Sequence, residues 1–498
     1  MIIVNKHNQN LQQMSKYTKT FLGVISFFVC THLFSQEQLG LRLGNYSGIS
    51  GVRLNPTSGV NSPMGWDINI ASMGYSFAND FAFIKDASVQ SFLRNLLTLG
   101  PAPETKIEVP WQPTQFFDFF NQPHEKFVSS FLFIGLPSYQ INLESGHTLG
   151  FYVEQRGAFT TRQIPIDADP YQQKEPLNVR YNIPSMNVTS MAWQEYGFNY
   201  AYQIGGGENG GLSVGFNAKV LRANQGIFVK SSGGSAITKL TKDSVRVDAL
   251  NATIGYTTNY LEHPLHNNGF GFGFDLGAQL VVGTGDFDNR PYLFRAGASL
   301  IDIGKANFNY FTDVHAIKLT ESVDFHIKDY YDLNPKDPYG DAIRRFNKQK
   351  SSRVDSSIQS HRFSLALPTA LSLQGDIAMT ENFFINGLLI QRIQLTELAI
   401  SRDNLLAITP RFESRWFDAS LPVSVLNYRQ VRVGLTARLA FLTLGTDHLM
   451  SFIGQKRLSG SDFYVALKMN AFTLGKLGHN GSFGGGLRGG KNVKCYRF

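Results

Sequence analysis

The feature that most constrains this chain is a period of two. In "VRVGLTARLAF" (431–441), Val431, Val433, Leu435, Ala437, Leu439 and Phe441 alternate with Arg432, Gly434, Thr436, Arg438 and Ala440. Such alternation makes a β-strand with two unlike faces. Here one face is oily and the other carries two guanidinium groups. A soluble sandwich strand buries the oily face in a core and leaves the charges in water. A membrane barrel strand turns the oily face to lipid and the charges to a lumen.

The pattern recurs at 196–204, 212–220, 250–257, 270–280, 294–300 and 463–471, and the glycine-rich 205–211 reads as a hairpin turn. Runs of ~9–11 residues suit a tilted strand crossing a bilayer, whereas globular strands are usually ~5–6 residues long. The face opposite the oily one is rich in Gly, Asn, Gln, Ser, Thr, Lys and Arg, as in a wet lumen. Trp66, Trp193, Tyr256 and Trp416 near strand ends fit interfacial girdles.

The expected fold is all-β: a single transmembrane antiparallel β-barrel of about 14 strands, with roughly 12 to 16 allowed. Candidate strands are 66–76, 131–143, 149–159, 193–204, 212–222, 249–258, 269–282, 292–303, 363–378, 383–394, 404–416, 430–442, 463–473 and 482–498. Short connections at 144–148, 205–211 and 379–382 belong on one side. That requires an odd number of further strands within 304–360, near Phe308 to Phe311. Two segments read as short helices that pack on a rim or plug the lumen. One holds Val89, Phe92, Leu93, Leu96 and Leu97, and the other Phe116, Phe117, Phe119 and Phe120. Residues 305–360, polar and charged from 321 onward, read as a large loop or subdomain outside the membrane.

Composition agrees. Charged residues are 17%, below the usual ~25%, with 47 Gly, 40 Phe and 20 Tyr. The net charge is +8, yet no dense basic block carries interleaved aromatics, so nucleic acid is not an expected partner. The start reads as a signal peptide, 1–35: basic Lys16 and Lys19, an apolar Phe21–Phe34, and a cleavage point at Ser35-Gln36. Residues 36–498 are then the outer-membrane barrel domain. Cys30 falls in the leader and leaves Cys495 alone, so no internal disulfide is expected. No stretch can span a membrane as a helix. A membrane fold must therefore be a closed barrel, because lipid cannot satisfy open backbone groups.

Motifs for chemistry are weak. His263-Pro264-Leu265-His266 reads as a turn rather than a metal site, and Asp286, Asp288 and Asn289 lack the later Glu of a calcium loop. His479 near Ser482 has no partnering carboxylate, and the glycines of "GFGFDLG" sit at strand spacing. No enzyme activity, catalytic residue, cofactor or metal is expected. The better candidates are charges on the lumen-facing side of the strands: Glu154, Arg156, Lys219, Asp275, Arg295, Arg411, Glu413, Arg415, Arg432, Arg438 and Lys468. They read either as ladders bracing the barrel or as a path preferring anionic solutes.

Four stretches carry a resemblance: "LGLRLGNYSGISGVRLNPTSG" after the leader, "GLPSYQINLESGHTLGFYVEQRG" at 135–157, "FRAGASLIDIG" at 294–304 and "LPTALSLQGDIAM" at 367–379. The chain resembles an uncharacterised outer-membrane barrel family of Bacteroidota, a domain of unknown function. That family is distantly similar to long-chain fatty-acid-transporter-type barrels and to the PorV barrel of type IX secretion. The resemblance implies a signal peptide, a barrel near 14 strands and an inward-folded N-terminal segment, 36–62, with Asn55-Pro56 at its turn. It implies no established activity.

Three functions stay open: a channel or transporter for a small hydrophobic or anionic solute, a non-conducting scaffold docking a secretion, motility or envelope partner, and a soluble secreted β-protein. The first two place the chain in the outer membrane with lipid as a partner.

Overall fold

The computed structural model describes residues 37–470 except 61, 92–116, 121, 123, 144–145, 165–176, 184, 206–209, 242–243, 261, 285–288, 331, 335, 352–356 and 454–456. The leader, both cysteines, the strand expected at 482–498, and most of the first expected helix lie outside the described residues.

Fourteen antiparallel strands close a barrel. They are β1 (Trp66–Asn79), β2 (Lys126–Gly135, continued by Ser138–Asn142), β3 (His147–Ile164), β4 (Met186–Ile204), β5 (Gly210–Ser231), β6 (Gly269–Val282) and β7 (Phe294–Phe308). There follow β8 (Phe363–Ala366, continued by Ala370–Ala378), β9 (Phe383–Arg392), β10 (Leu405–Glu413), β11 (Phe417–Ser420, continued by Val423–Leu426), β12 (Gln430–Val433, continued by Leu435–Leu439), β13 (Leu442–Thr446) and β14 (Gly460–Asn470). β14 pairs with β1, from Asp67 opposite Asn470 to Ala78 opposite Gly460, and no edge remains.

The oily faces point outward. Val431, Leu435, Leu439 and Phe441 are exposed while Arg432, Thr436 and Arg438 are buried. The same holds on β6, where Phe270, Phe272, Phe274 and Leu276 are exposed and Asp275 is buried. A belt of this kind is stable only against lipid, so the chain is an outer-membrane-type barrel and not a soluble sandwich. Short turns lie at one end and long connections at the other. These ends are the periplasmic and outer ends in such barrels.

The expected set of strands needs correction. Residues 249–258 stand outside the wall, in a ribbon above the outer end. There Ser244–Thr257 pairs with Thr312–Leu319, and Ser235–Lys239 joins Arg180–Ile183. Removing 249–258 from the wall also settles the turn parity: 379–382 then joins β8 to β9 on the same side as 144–148 and 205–211. Among the described residues no further crossing exists near Phe308 to Phe311, because Thr312–Leu319 belongs to the ribbon. The wall gains β11 and β13 instead. Leu421-Pro422 interrupts the period of β11, because proline cannot donate to the ladder. β13 is five residues long and follows β12 after a two-residue turn, so both read as one run. The second expected helix is wrong too: Phe117–Phe119 is a strand pairing with Ala82–Ile84. Residues 305–308 belong to β7, and the rest of 305–360 supplies ribbon strands and the helix Pro338–Ser351. Asp337 caps that helix, accepting from the Gly340 amide. Ile343 packs on Tyr256 and Ile317.

Two expected girdle residues are buried away from lipid. Trp193 and Tyr256 are each 1% exposed, Trp193 in the lumen and Tyr256 beneath the helix. Alternation sets which face a side chain takes, and aromatic identity does not.

Candidate functional site

The lumen is filled from two directions. Residues 37–64 enter it as a plug with one helical turn, Leu39–Arg42, and one 3-10 stretch, Gly48–Arg53. Neither is long enough to be stable alone. The wall supplies their partners. Asn217 donates to the Val52 carbonyl (2.9 Å), Asn199 to that of Pro56 (3.0 Å) and Ser299 to that of Leu54 (2.5 Å). Asn55 accepts from the Thr57 amide and donates to the Ala278 carbonyl. It can sit there because the wall is glycine: a Cβ on Gly277 falls 2.4 Å from its Oδ1, and one on Gly297 falls 2.7 Å from its Nδ2.

From the outer end, the connection between β9 and β10 turns inward. Ile400 joins an apolar cluster with Trp193, Leu221, Phe308, Phe363 and Leu365. Arg162 donates to Ser401 and pairs with Asp403. Arg402 reaches down to the plug, pairing with Glu37 (2.8 Å) and Asp302 (2.9 Å).

Asp302 is the hub. Its φ of +56° and the +151° of Gly304 bend β7 inward, and its amide donates to Asp275 (2.6 Å). Besides Arg402 it holds Arg156 (2.8 Å) and Lys219 (2.8 Å). Lys219 also meets Asp275 (2.7 Å). Arg156 also meets Glu195 (3.1 Å), and Arg53 of the plug pairs with Glu154 (3.0 Å) and Glu195. Each buried charge is thereby compensated. Burial opposes the charge on Arg402, but Glu37 and Asp302 outweigh it and raise its pKa. Burial pulls the Arg42 guanidinium down to about 10.

A second network lies nearer the periplasmic end. Asp376 accepts from Arg295, Arg411 (2.7 Å) and Tyr292 (2.9 Å). Arg411 also pairs with Glu413, whose carboxylate accepts the Asn45 amide of the plug (3.1 Å). Arg438 pairs with Asp418 and stacks on plug residue Tyr46 (4.7 Å). Lys468 pairs with Asp67 (3.0 Å) and donates to the Ser47 carbonyl. Arg432 is buried and donates to Gln430 (3.0 Å).

Ten of the eleven sequence candidates therefore project into the lumen. Arg415 does not. It is exposed in the 414–416 turn, against Trp416, because alternation ends with β10 at Glu413. Sequence reading missed Glu195 and Asp376, although both lie within the expected strands 193–204 and 363–378 and follow from their alternation. It missed Asp302 because the bend resets the period. It missed Glu37, Arg42, Arg53 and Arg402 because they are on no strand.

Where the two fillings meet, a cleft is lined by Arg42, Arg156, Arg402, Phe131, Phe133, Trp193 and Pro368, among others. It abuts an irregularity in the wall. Residues 367–369 lie outside the β7–β8 ladder beside the Asp302 bend, and are held by the Leu367 amide to Gly304 (3.0 Å) and the Thr369 hydroxyl to Asp302 (2.7 Å).

A profile described as a family of unknown function (DUF5723) matches residues 122–447. None of the curated proteins matches the sequence. Among solved structures, the chain is similar to the toluene transporter TbuX of Ralstonia pickettii. Identity is 9% and the TM-score 0.38, covering 85% of this chain and 94% of that one. It is similar to the toluene transporter TodX of Pseudomonas putida, at 10% identity and TM-score 0.33, covering 85% and 93%. A Pseudomonas aeruginosa FadL homologue matches at 11% identity and TM-score 0.20, covering 83% and 91%.

Proposed function

The chain belongs to this family of unknown function, and on that premise we propose that it is a gated outer-membrane transporter in its closed state. Its solute is small, with an apolar body and an anionic head. The observation that carries this reading is the cleft: three guanidinium groups beside Phe131, Phe133 and Trp193, with the Glu37 carboxylate already seated on Arg402. A solute carboxylate has the same chemistry as Glu37 and competes for the same bidentate partner. Displacing Glu37 loosens the plug at its first described residue and frees Arg402, which tethers the inward connection. The irregular wall segment 367–369 lies next to that cleft. Export by the 1–35 leader and residence in the outer membrane belong to the same reading.

The test is uptake into proteoliposomes of an aryl carboxylate, compared with the matching alcohol. Wild type should pass the carboxylate slowly, and Glu37→Gln several-fold faster, with the alcohol lagging in both. Equal passage of acid and alcohol sinks the anionic head.

The second reading is a non-conducting scaffold, to which the resemblance to the PorV barrel belongs. It is favoured by the compensation of the lumen charges and by the ribbon standing above the outer end, which offers a docking surface for an envelope or secretion protein. Liposomes that stay tight to every solute, even after deletion of residues 37–60, support it over transport.

A further inference from the structure

On the outward surface of the barrel, one row of residues crosses six strands at a single height. Gln155, Gln194, Arg222, Phe270, Asn307 and Ser364 are cross-strand partners in turn from β3 to β8. Below the row the outward surface is apolar: Val153, Tyr196, Val220 and Phe272 occupy the next height. The row therefore marks the upper edge of the lipid belt, at the outer end.

Lys305 breaks the rule. It lies in the apolar height, opposite Phe272, and is exposed. Phe270 and Phe272 flank it at 54% and 64% exposure. A cation on the lipid face is unfavourable unless it reaches an anion or water. Among the described residues Lys305 has no ion-pair partner. Arg222 has none either, and donates only to the Leu265 carbonyl at 3.4 Å. The acidic groups nearby are occupied: Glu262 by Lys336 (2.8 Å) and Asp313 by His361 (2.8 Å), while Asp275 and Asp302 face the lumen.

The turn His263-Pro264-Leu265-His266, which had no assignable chemistry in the sequence, closes this patch from above. Asn224 and Gln225 of β5 donate to its carbonyls. Leu265 is 63% exposed, and the His266 ring meets Phe311 edge-on at 5.3 Å.

We propose that this patch binds the head of a phosphorylated glycolipid of the outer leaflet, with Lys305 and Arg222 on phosphate and Phe270, Phe272 and Leu265 against acyl chain. Two phosphates suit two cations, and the flanking amides and hydroxyl of Gln155, Gln194, Asn307 and Ser364 suit sugar hydroxyls. The row spans five strand spacings, ~24 Å, which is wider than a glycerophospholipid head. Basic groups at the membrane boundary are the usual hold on anionic lipid heads. The site does not depend on whether the lumen conducts.

The test uses the full-length protein in neutral detergent, titrated with a diphosphorylated acylated disaccharide, its monophosphorylated form and phosphatidylglycerol. Retained lipid is read by native mass spectrometry. Wild type should hold the diphosphorylated lipid about tenfold tighter than phosphatidylglycerol, with the monophosphorylated form between them, about one factor of ten per 1.4 kcal/mol. Arg222→Gln with Lys305→Gln should lose that preference, whereas Arg246→Gln, an exposed cation of the ribbon, should keep it. Both cations are at the surface, so an unchanged melting point without lipid certifies the fold. Equal retention by the double variant, or equal affinity for phosphatidylglycerol, overturns the proposal.

Discussion

The periplasmic half of the lumen is held by ion pairs that link plug, wall and inward connection, and the outer half by rings and aliphatic chains that pack the wall against that connection. In the first, Arg53, Arg156, Lys219 and Arg402 are shared among Glu37, Glu154, Glu195, Asp275 and Asp302. In the second, Trp193, Leu221, Phe308, Phe363 and Ile400 pack with no charge between them, Phe308 and Phe363 stacked at 4.8 Å. Both sets are buried, yet they do different things. Dispersion and burial of rings favour closure of the barrel whatever fills it. A buried ion pair adds little net stability but penalises any state in which one partner leaves. Leu39, Leu43 and Leu54 of the plug also pack on Ile301, Leu388 and Ile390 of the wall, so the outer apolar set fixes the shape, and the ion pairs add to an apolar seat in fixing the contents.

The largest break in that comparison comes from Phe308→Ala. It removes a fully buried ring and should cost about 4 kcal/mol. Denaturant unfolding in detergent should fall, while the plug stays protected from trypsin until the barrel itself unfolds. Lys219→Met should reverse the pattern. It leaves Asp275 and Asp302 short of a cation, at about 3 kcal/mol, and cleavage at Arg42 and Arg53 should begin well before the wall unfolds. If both variants lose plug and wall together, the two halves are one cooperative unit and the division fails.

Gly277→Val sharpens the contrast at about 2 kcal/mol, because the new side chain meets Asn55 and not the wall. Tryptic protection of 37–64 should drop with unfolding of the barrel unchanged. The smallest effect is Asp447→Asn, at the carboxylate that accepts the Leu39 amide of the plug (3.1 Å). Burial, then the neighbouring Asp462, raise the Asp447 pKa well above its ordinary value. A folded-state pKa raised in this way contributes stability at low pH that is lost as pH rises through it. The amide should flatten the loss of plug anchoring as pH rises above the ordinary carboxyl range, because it has no proton to lose. A variant that keeps the wild-type slope assigns that slope to another group.

Much of this architecture was legible. Period two placed Arg432 and Arg438 inside and Val431 and Phe441 outside, because lipid and lumen impose opposite demands on alternate residues. Turn parity exposed a miscount, but its cause is 249–258, which pairs with Thr312–Leu319 outside the wall, and not a hidden crossing beside Phe308 to Phe311. Three things were not legible. The inner face is not uniformly polar: Lys219 and Leu221 both point inward, one into each half, and a two-letter alphabet of oily and polar misreads the second. Asp302 sits in a bend that no alternation announces. The plug has no period at all, and its place follows from contacts with the wall rather than from its own propensities.

One consequence of the plug concerns timing. Residues 37–64 precede β1 in the chain, so they are made before any of the wall. Their anchors, however, are spread from Asp67 on β1 to Lys468 on β14. These anchors converge only when β14 meets β1. The first described segment to be synthesised is therefore the last to be secured, and its glycine, asparagine, serine and arginine content keeps it soluble in the interval.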